Sequence, residues 1–327
     1  MSIKVLYLPL NFGDVVQSGV YDAFREAGAE LQVFDFFHIY QAHRKRKTIV
    51  REQLLKKALG FRPDLIHMQI QHTNIIDAKT IKTIKTRLPK TIISNWTGDV
   101  RVYVPKSYRE MARQSDFNFI SSTGQIDMFQ KAIGKPIKYW QIGYNPKLYF
   151  PPRKMPKKFI WDACFVANYN KRESYPGRAA REQTSLILKK QFGDRFCLYG
   201  GSWPRKYDSK GSLDQKRVAQ AYHKSMCLIS VSHFNDLNHY FSDRLLMCMA
   251  SGRPTISLSF PKWESYFTDK CDLVIADSVE DIPNKVKWLK NNPDIANYIG
   301  KSGAEKARAE HTYFSRINEL FDMVGLR

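Results

Sequence analysis

The residues with the most chemistry to offer are gathered between Tyr240 and Phe267. Asp243 and Arg244 head a helical pattern in which Leu245, Leu246 and Met249 recur at helical spacing. Ser242 is placed to cap that helix, Gly252 to end it in the left-handed conformation, and Pro254 forbids its continuation. The short apolar run Thr255 to Leu258 reads as a strand, and the polar loop after it carries Lys262 and Glu264. A loop at the carboxyl end of a parallel strand is where open α/β sheets bind ligands. A guanidinium such as that of Arg244 suits a phosphate, because its planar fork of donors matches phosphate oxygens. Other strand ends hold further candidates. Gly200 and Gly201, ahead of Trp203, allow close approach of backbone to a ligand or simply make a turn. His67 ends one strand, where a single histidine is more often structural than catalytic. Asp99, after Gly98, sets a carboxylate at another strand end, although Asp after Gly is also turn chemistry.

Two series of alternating strand and helix patterns must position these groups. The first opens with Ile3 to Leu8 as a buried strand, then a turn at Asn11 to Asp14 into a helix carrying Val20, Phe24 and Ala27. Gly13 and Gly19 lack the spacing of a dinucleotide fingerprint. A strand follows at 31–36, a helix at 44–59 and the strand that ends in His67. The next helix sets Lys79, Lys82 and Lys85 along one face and Ile76, Ile81, Ile84 and Leu88 along another, which makes it a surface helix with a basic stripe. Strand 91–95 then runs into Trp96, Asp99 and Arg101. Residues 143–158, with Pro146, Pro151, Pro152 and Pro156, break both periodicities and read as a linker and hinge. The second series restarts at Phe159. A chain of 327 residues exceeds what one hydrophobic core serves, so two domains are expected, 1–150 and 151–310, followed by a terminal helix at 311–327.

The formal charge of +21 is the compositional outlier. Lys and Arg thicken at Arg44 and Lys45 and again at Lys79, Lys82 and Lys85. Any one run suits a solvated face, whereas together they fit a polyanionic partner, nucleic acid or an anionic membrane surface. Nothing near Met1 has the pattern of a signal peptide and no apolar run reaches membrane-spanning length, so a cytoplasmic protein without a transmembrane segment is expected. The five cysteines are spread through apolar contexts without a Cys-x-x-Cys pair, which suits buried thiols and predicts no structural metal.

Ala250-Ser251-Gly252-Arg253-Pro254-Thr255-Ile256-Ser257, the loop with Lys262 and Glu264, Asp272 to Ile275 and the terminal His311-Thr312-Tyr313 together resemble the donor half of a GT-B glycosyltransferase. More narrowly they resemble the CgeB-like (spore maturation protein) branch of the family-4-type enzymes, as does Trp96-Thr97-Gly98-Asp99-Val100-Arg101. The resemblance implies an α/β GT-B fold, two Rossmann-like doubly wound domains facing across a cleft, with the terminal helix crossing back to the first. It implies transfer from a nucleotide sugar, UDP-linked, by a retaining and metal-independent enzyme needing no other cofactor. Asn168, Lys171, Arg172 and Arg178 then occupy the place of a polar, basic loop facing the donor diphosphate, joined by Gly200, Gly201, Trp203, Asp243, Arg244, Lys262 and Glu264. Asp99, His67 and Asp14 are the catalytic candidates. Gly13, Trp96, Arg101, Lys79, Lys82, Lys85, Arg44 and Lys45 are candidates for the acceptor side. One departure stands out: the Glu-x7-Glu pair of retaining GT-B enzymes is replaced by His239 and Met247, and methionine cannot take the ribose hydroxyls, a task Asp243 could assume from one helical turn away. Three classes stay open: an enzyme acting on a polyanion such as hydroxymethylated, phage-type DNA; one acting on cell-envelope or spore-surface polymers at an anionic membrane; and an inactive GT-B protein that binds nucleic acid or protein.

Overall fold

The structure, a computed structural model, describes residues 2–10, 15–70, 74–154, 156, 158–172 and 175–327, with 15–18 as backbone alone. The chain divides into two compact units, Met1–Ile142 with Tyr313–Arg327, and Gly143–Thr312.

The first unit runs β1 (Lys4–Leu8), α1 (Val15–Glu26), β2 (Glu30–Val33), α2 (Phe36–Ala42), α3 (Lys47–Phe61), β3 (Leu65–Met68), α4 (Ala78–Arg87), β4 (Ile92–Thr97), α5 (Lys106–Gln114), β5 (Phe117–Ile120), α6 (Ile126–Ile133) and β6 (Lys138–Tyr139). Its strands pair in parallel in the order β2-β1-β3-β4-β5-β6. The apolar run of β1 is explained by burial on both faces. Leu6 and Leu8 pack with Val50, Leu54 and Ala58 of α3, while Val5 and Tyr7 face Val20 and Phe24 of α1. Each such side chain contributes about 1.5–3 kcal/mol of burial.

The second unit runs β7 (Trp161–Val166), α7 (Gly177–Phe192), β8 (Phe196–Tyr199), α8 (Gln215–His223), β9 (Ser225–Ser230), α9 (Asp243–Ala250), β10 (Thr255–Leu258), β11 (Val274–Ala276), α10 (Ile282–Asn291) and α11 (Pro293–Glu310). Its parallel sheet has the order β11-β10-β9-β7-β8. The last helix, α12 (Tyr313–Met323), lays Ile317, Leu320 and Phe321 into the same core as Val20 and Phe24 of α1.

Three local expectations change. The strand expected over 31–36 stops at Val33, because the Asp35 carboxylate accepts from the His38 amide at 2.9 Å and starts α2. The sequence reading has no counterpart of α8, which Asp214 caps by accepting from the Arg217 amide at 2.9 Å. Ser242 stands at the head of α9, yet its hydroxyl makes no cap bond and is buried with no partner among the described residues. At the other end Gly252 has φ +73°, the left-handed stop anticipated there. Four cysteines are buried free thiols and Cys271 is half-buried. Among the described residues no helix is long and apolar enough to cross a membrane.

Candidate functional site

The second unit's sheet changes direction of winding between β7 and β9, the point where α/β sheets hold their ligands. Arg181 reaches into that point from α7. It lies on the helix's inward stripe with Gly177, Thr184, Ser185 and Leu188, and only 3% of its surface is exposed. Its Nε donates to the Val231 carbonyl at 2.9 Å and its Nη1 to the Asn168 carbonyl at 3.1 Å, bridging the ends of β9 and β7. Arg244, from the first turn of α9, turns its Nη1 to the same Val231 oxygen at 3.4 Å. Two guanidiniums thus converge on one carbonyl, and among the described residues neither has a carboxylate partner. Burial pushes Arg181 well below its ordinary pKa, and the neighbouring Arg244 charge adds to the shift. Isolated buried charge is destabilising unless something compensates it.

His233 completes the group. Its Nε2 stands 2.5 Å from Arg181 Nη1. Since arginine can only donate, Nε2 is the acceptor and the proton sits on Nδ1, which is buried and has no partner among the described residues. Burial first, then Arg181 and Arg244, lowers this imidazole to about 3, so it is neutral. The start of α7 is drawn against the same loop: the Gly177 amide donates to the His233 carbonyl at 2.6 Å, and a Cβ on Gly177 would lie 2.3 Å from the Ser232 carbonyl oxygen. The first amides of both helices are engaged within the protein: the Arg178 amide donates to the Tyr175 carbonyl at 3.0 Å, and the Arg244 amide to the Asp243 carboxylate at 2.8 Å. What this region offers an anion is therefore its two guanidiniums.

The other donor-side candidates fall around it unequally. Asn168 accepts from the Gly201 amide at 2.8 Å, and Trp203 Nε1 donates to the Ala167 carbonyl at 2.6 Å. Gly200 has φ +143°, and a Cβ there would sit 1.9 Å from the Ala167 oxygen, so its space is taken by the chain itself. Arg178 pairs with Glu182 at 3.0 Å, donates to the Lys171 carbonyl at 3.1 Å and lies over the Tyr169 ring. Lys171 and Arg172 are exposed. Lys262, in the left-handed region at φ +67°, and Glu264 are exposed in the loop beyond β10, where the His239 amide binds the Pro261 carbonyl. Burial first, and then the Lys262 charge, holds His239 below its usual pKa. Met247 is buried, while Asp243 is half-buried in the first turn of α9.

In the first unit the candidates are not brought together in this way. Gly13 and Asp14 lie outside the described residues. His67 has no exposed surface: Nδ1 lies 2.8 Å from Ser94 Oγ, the ring stacks on Tyr7 and meets Trp140 edge-on, and burial lowers it to about 3. Trp96 is packed inside against Trp140 and donates Nε1 to the Trp140 carbonyl at 3.2 Å, so it presents no open face. Asp99 is exposed, 3.5 Å from Arg101, whose backbone is held from both sides by Gln125. Arg44, Lys45, Lys79 and Lys82 are exposed; Lys85 is half-buried, bound to Asp116 and to the Thr91 carbonyl, each at 2.8 Å. Sequence reasoning missed Arg181 and His233. A signal for Arg181 existed, since an arginine on the inward stripe of an amphipathic helix is a buried cation that needs a reason.

Two parallel α/β units of this topology define a GT-B fold. Residues 178–322, from Arg178 through α12, match the profile of the "Glycosyl transferase-like" family, and Arg181, His233 and Arg244 fall inside that stretch. No curated protein matches the chain by sequence. Among solved structures, HepE (Alr3699) of Anabaena in complex with UDP-glucose is similar over 99% of this chain and 100% of its own, with TM-score 0.66 and 10% identity. A glycosyltransferase of Rickettsia africae is similar over 99% and 98%, with TM-score 0.68 and 10% identity. Sucrose-phosphate synthase of Thermosynechococcus elongatus is similar over 99% of both chains, with TM-score 0.63 and 12% identity.

Proposed function

We propose that the protein is a retaining glycosyltransferase of the CgeB-like branch that transfers a sugar from a UDP-sugar, holding the donor diphosphate on Arg181 and Arg244. The observation that carries this reading is the convergence of two uncompensated guanidiniums on the Val231 carbonyl at the second sheet's switch point. Transfer breaks the bond between the sugar's anomeric carbon and the diphosphate oxygen and forms one to an acceptor hydroxyl. Negative charge grows on the departing UDP, and the hydroxyl's proton must leave. Fixed cations aimed at that oxygen stabilise the transition state more than the ground state. Asp243 takes the ribose hydroxyls in place of the carboxylate that Met247 cannot supply. The UDP-glucose bound by HepE supports a UDP-linked donor.

Calorimetric titration with UDP tests the reading. Arg244→Ala should weaken binding by about 1.5–3 kcal/mol, the range for a hydrogen bond to a charged group; equal affinity of wild type and variant would overturn the assignment. Because protein cations supply the diphosphate's counter-charge, sugar transfer should persist in EDTA, and a full loss restored by a divalent ion would contradict this.

For the acceptor we propose a polyanion, DNA carrying hydroxymethylated bases, received by the first unit's basic surface. The exposed Arg44, Lys45, Lys79 and Lys82 support it, and the exposed Tyr103 is an aromatic on which a displaced base could stack. Transfer of label from UDP-glucose to hydroxymethylated but not unmodified DNA is the expected result; no transfer to either would remove DNA as the acceptor.

A further inference from the structure

A cavity of about 330 Å³ lies in the second unit, lined by the 144–151 segment, by α11 and by Ala250 at the opposite end of α9 from Arg244. Pro146, Tyr149, Phe150 and Pro151 wall one side, and Ala250 and Ala304 the other. Such a volume, apolar walls and a few fixed polar groups are the ordinary makings of a small-molecule site. The polar groups are specific. Tyr144 is 1% exposed, lines the cavity, and its hydroxyl has no hydrogen-bond partner among the described residues. Burial pushes that phenol up to about 12, and the charge of Arg308 acts on it in the opposite direction, so the two groups share one field. Arg308 is exposed and has no carboxylate partner among the described residues, whereas Lys301 is engaged by Glu305 at 3.9 Å. Two cations and one carboxylate leave one positive charge at the lining. A single cation beside a neutral hydroxyl donor suits a monoanion better than a dianion.

The walls are preformed. Tyr144 N donates to the His311 carbonyl at 3.2 Å, Asn145 Oδ1 accepts from the Lys147 amide at 2.9 Å, and the Tyr149 hydroxyl donates to Gln215. The Tyr144–Thr312 bridge joins the segment entering this unit to the segment leaving it. An occupant would therefore brace both points at which the chain passes between units.

We propose that this cavity binds a medium-chain carboxylate, its apolar body against the prolines and Ala304 and its carboxylate between the Tyr144 hydroxyl and the Arg308 guanidinium. Decanoate titrated calorimetrically into the full chain is the test. One molecule should bind per chain, and decanol, with the same body and no charge, should bind at least about tenfold more weakly. Arg308→Gln, at an exposed position with no carboxylate partner among the described residues, should bring decanoate to the level of decanol, and Tyr144→Phe should weaken it several-fold. Ala304→Leu, which fills the cavity, should abolish binding of both. No binding by wild type up to about 1 mM decanoate, equal binding of decanol, or undiminished binding by Arg308→Gln would each overturn the proposal. Should Ala304→Leu alter the circular dichroism spectrum, the Arg308→Gln and Tyr144→Phe titrations decide alone.

Discussion

Each sheet turns at a switch point, between β1 and β3 in the first unit and between β7 and β9 in the second, and the two treat a polar side chain in opposite ways. At the first, His67 is enclosed by Tyr7, Phe24 and Trp140, bonded to Ser94 and kept neutral. A neutral imidazole among rings is a small burden on the fold. At the second, Arg181 and Arg244 stay cationic beside a neutral His233, with like charges close and no carboxylate to relieve them among the described residues. That arrangement lowers stability, and in the proposed donor site a diphosphate would relieve it. The net charge of +21 says nothing of this difference, because surface lysines dominate it; burial without a counter-charge is what separates a site from a solvated face.

The largest expected effect breaks the comparison directly. Arg181→Met removes a buried charge and should cost on the order of 3 kcal/mol in UDP affinity, the upper range for a charged hydrogen bond. Its melting temperature without ligand should be unchanged or higher, since replacing uncompensated buried charge with apolar volume is often neutral or stabilising. His67→Asn should leave UDP affinity untouched. If the two variants behaved alike in titration, the switch points would not differ as described.

Next comes the packing behind each site. Alanine in a helix normally stabilises relative to glycine, yet Gly177→Ala drives a Cβ to within 2.3 Å of the Ser232 carbonyl oxygen, a backbone atom that cannot yield freely. Urea unfolding should show a loss of about 2–3 kcal/mol. Gly98→Ala in the first unit meets the Trp96 ring at 3.0 Å, a looser approach and to a side chain rather than to backbone, and should lose about 1 kcal/mol.

A pH titration sharpens the contrast. His67 and His233 are both lowered to about 3 in the folded protein, whereas unfolded histidine titrates near about 6.5. As pH falls below that value the unfolded chain takes up protons that the native state refuses, so stability declines until the folded values are reached. His67→Asn and His233→Asn should each flatten that decline. Only His233 should respond to ligand: a diphosphate beside it raises its pKa, so UDP-glucose binding takes up a proton and tightens as pH falls. That dependence should vanish in His233→Asn and persist in His67→Asn.

Much of the fold was legible because strands buried on both faces announce themselves, as β1, β3, β7 and β9 do. α2 was hidden because Phe34 and Phe36 continue the apolar run past the point where Asp35 caps a helix. Arg244 was legible from its place at a helix start after a strand. Arg181 was not singled out, although its place on one stripe with Thr184, Ser185 and Leu188 was there to be read; two of those neighbours are small and polar, which makes the stripe faint until the fold shows it facing inward. Gly200 looked like room for a ligand, but the Ala167 carbonyl fills that room. Trp96 and His67 became candidates through the family resemblance, while the residues alone favoured a structural His67; an aromatic cluster closes over both.

The smallest effects belong to the basic surface, and they distinguish lysines that the sequence sets on one stripe. Lys79 and Lys82 are exposed, so if they meet DNA phosphates, replacing both with Ala should reduce the slope of log affinity against log salt by about 2, nearly one unit per phosphate contact, with little dependence on sequence. Lys85 is committed elsewhere: its ammonium binds Asp116, which also accepts from the Ile93 amide at 2.8 Å, and the Thr91 carbonyl. Lys85→Ala should therefore leave the salt slope unchanged and instead lower stability slightly, by about 1 kcal/mol or less for a half-exposed pair. Fluorescence anisotropy with duplex DNA at several salt concentrations reads the first effect and urea unfolding the second. An unaltered slope in the Lys79, Lys82 double variant would remove this helix from any nucleic-acid surface while leaving the Arg181 and Arg244 site as it stands.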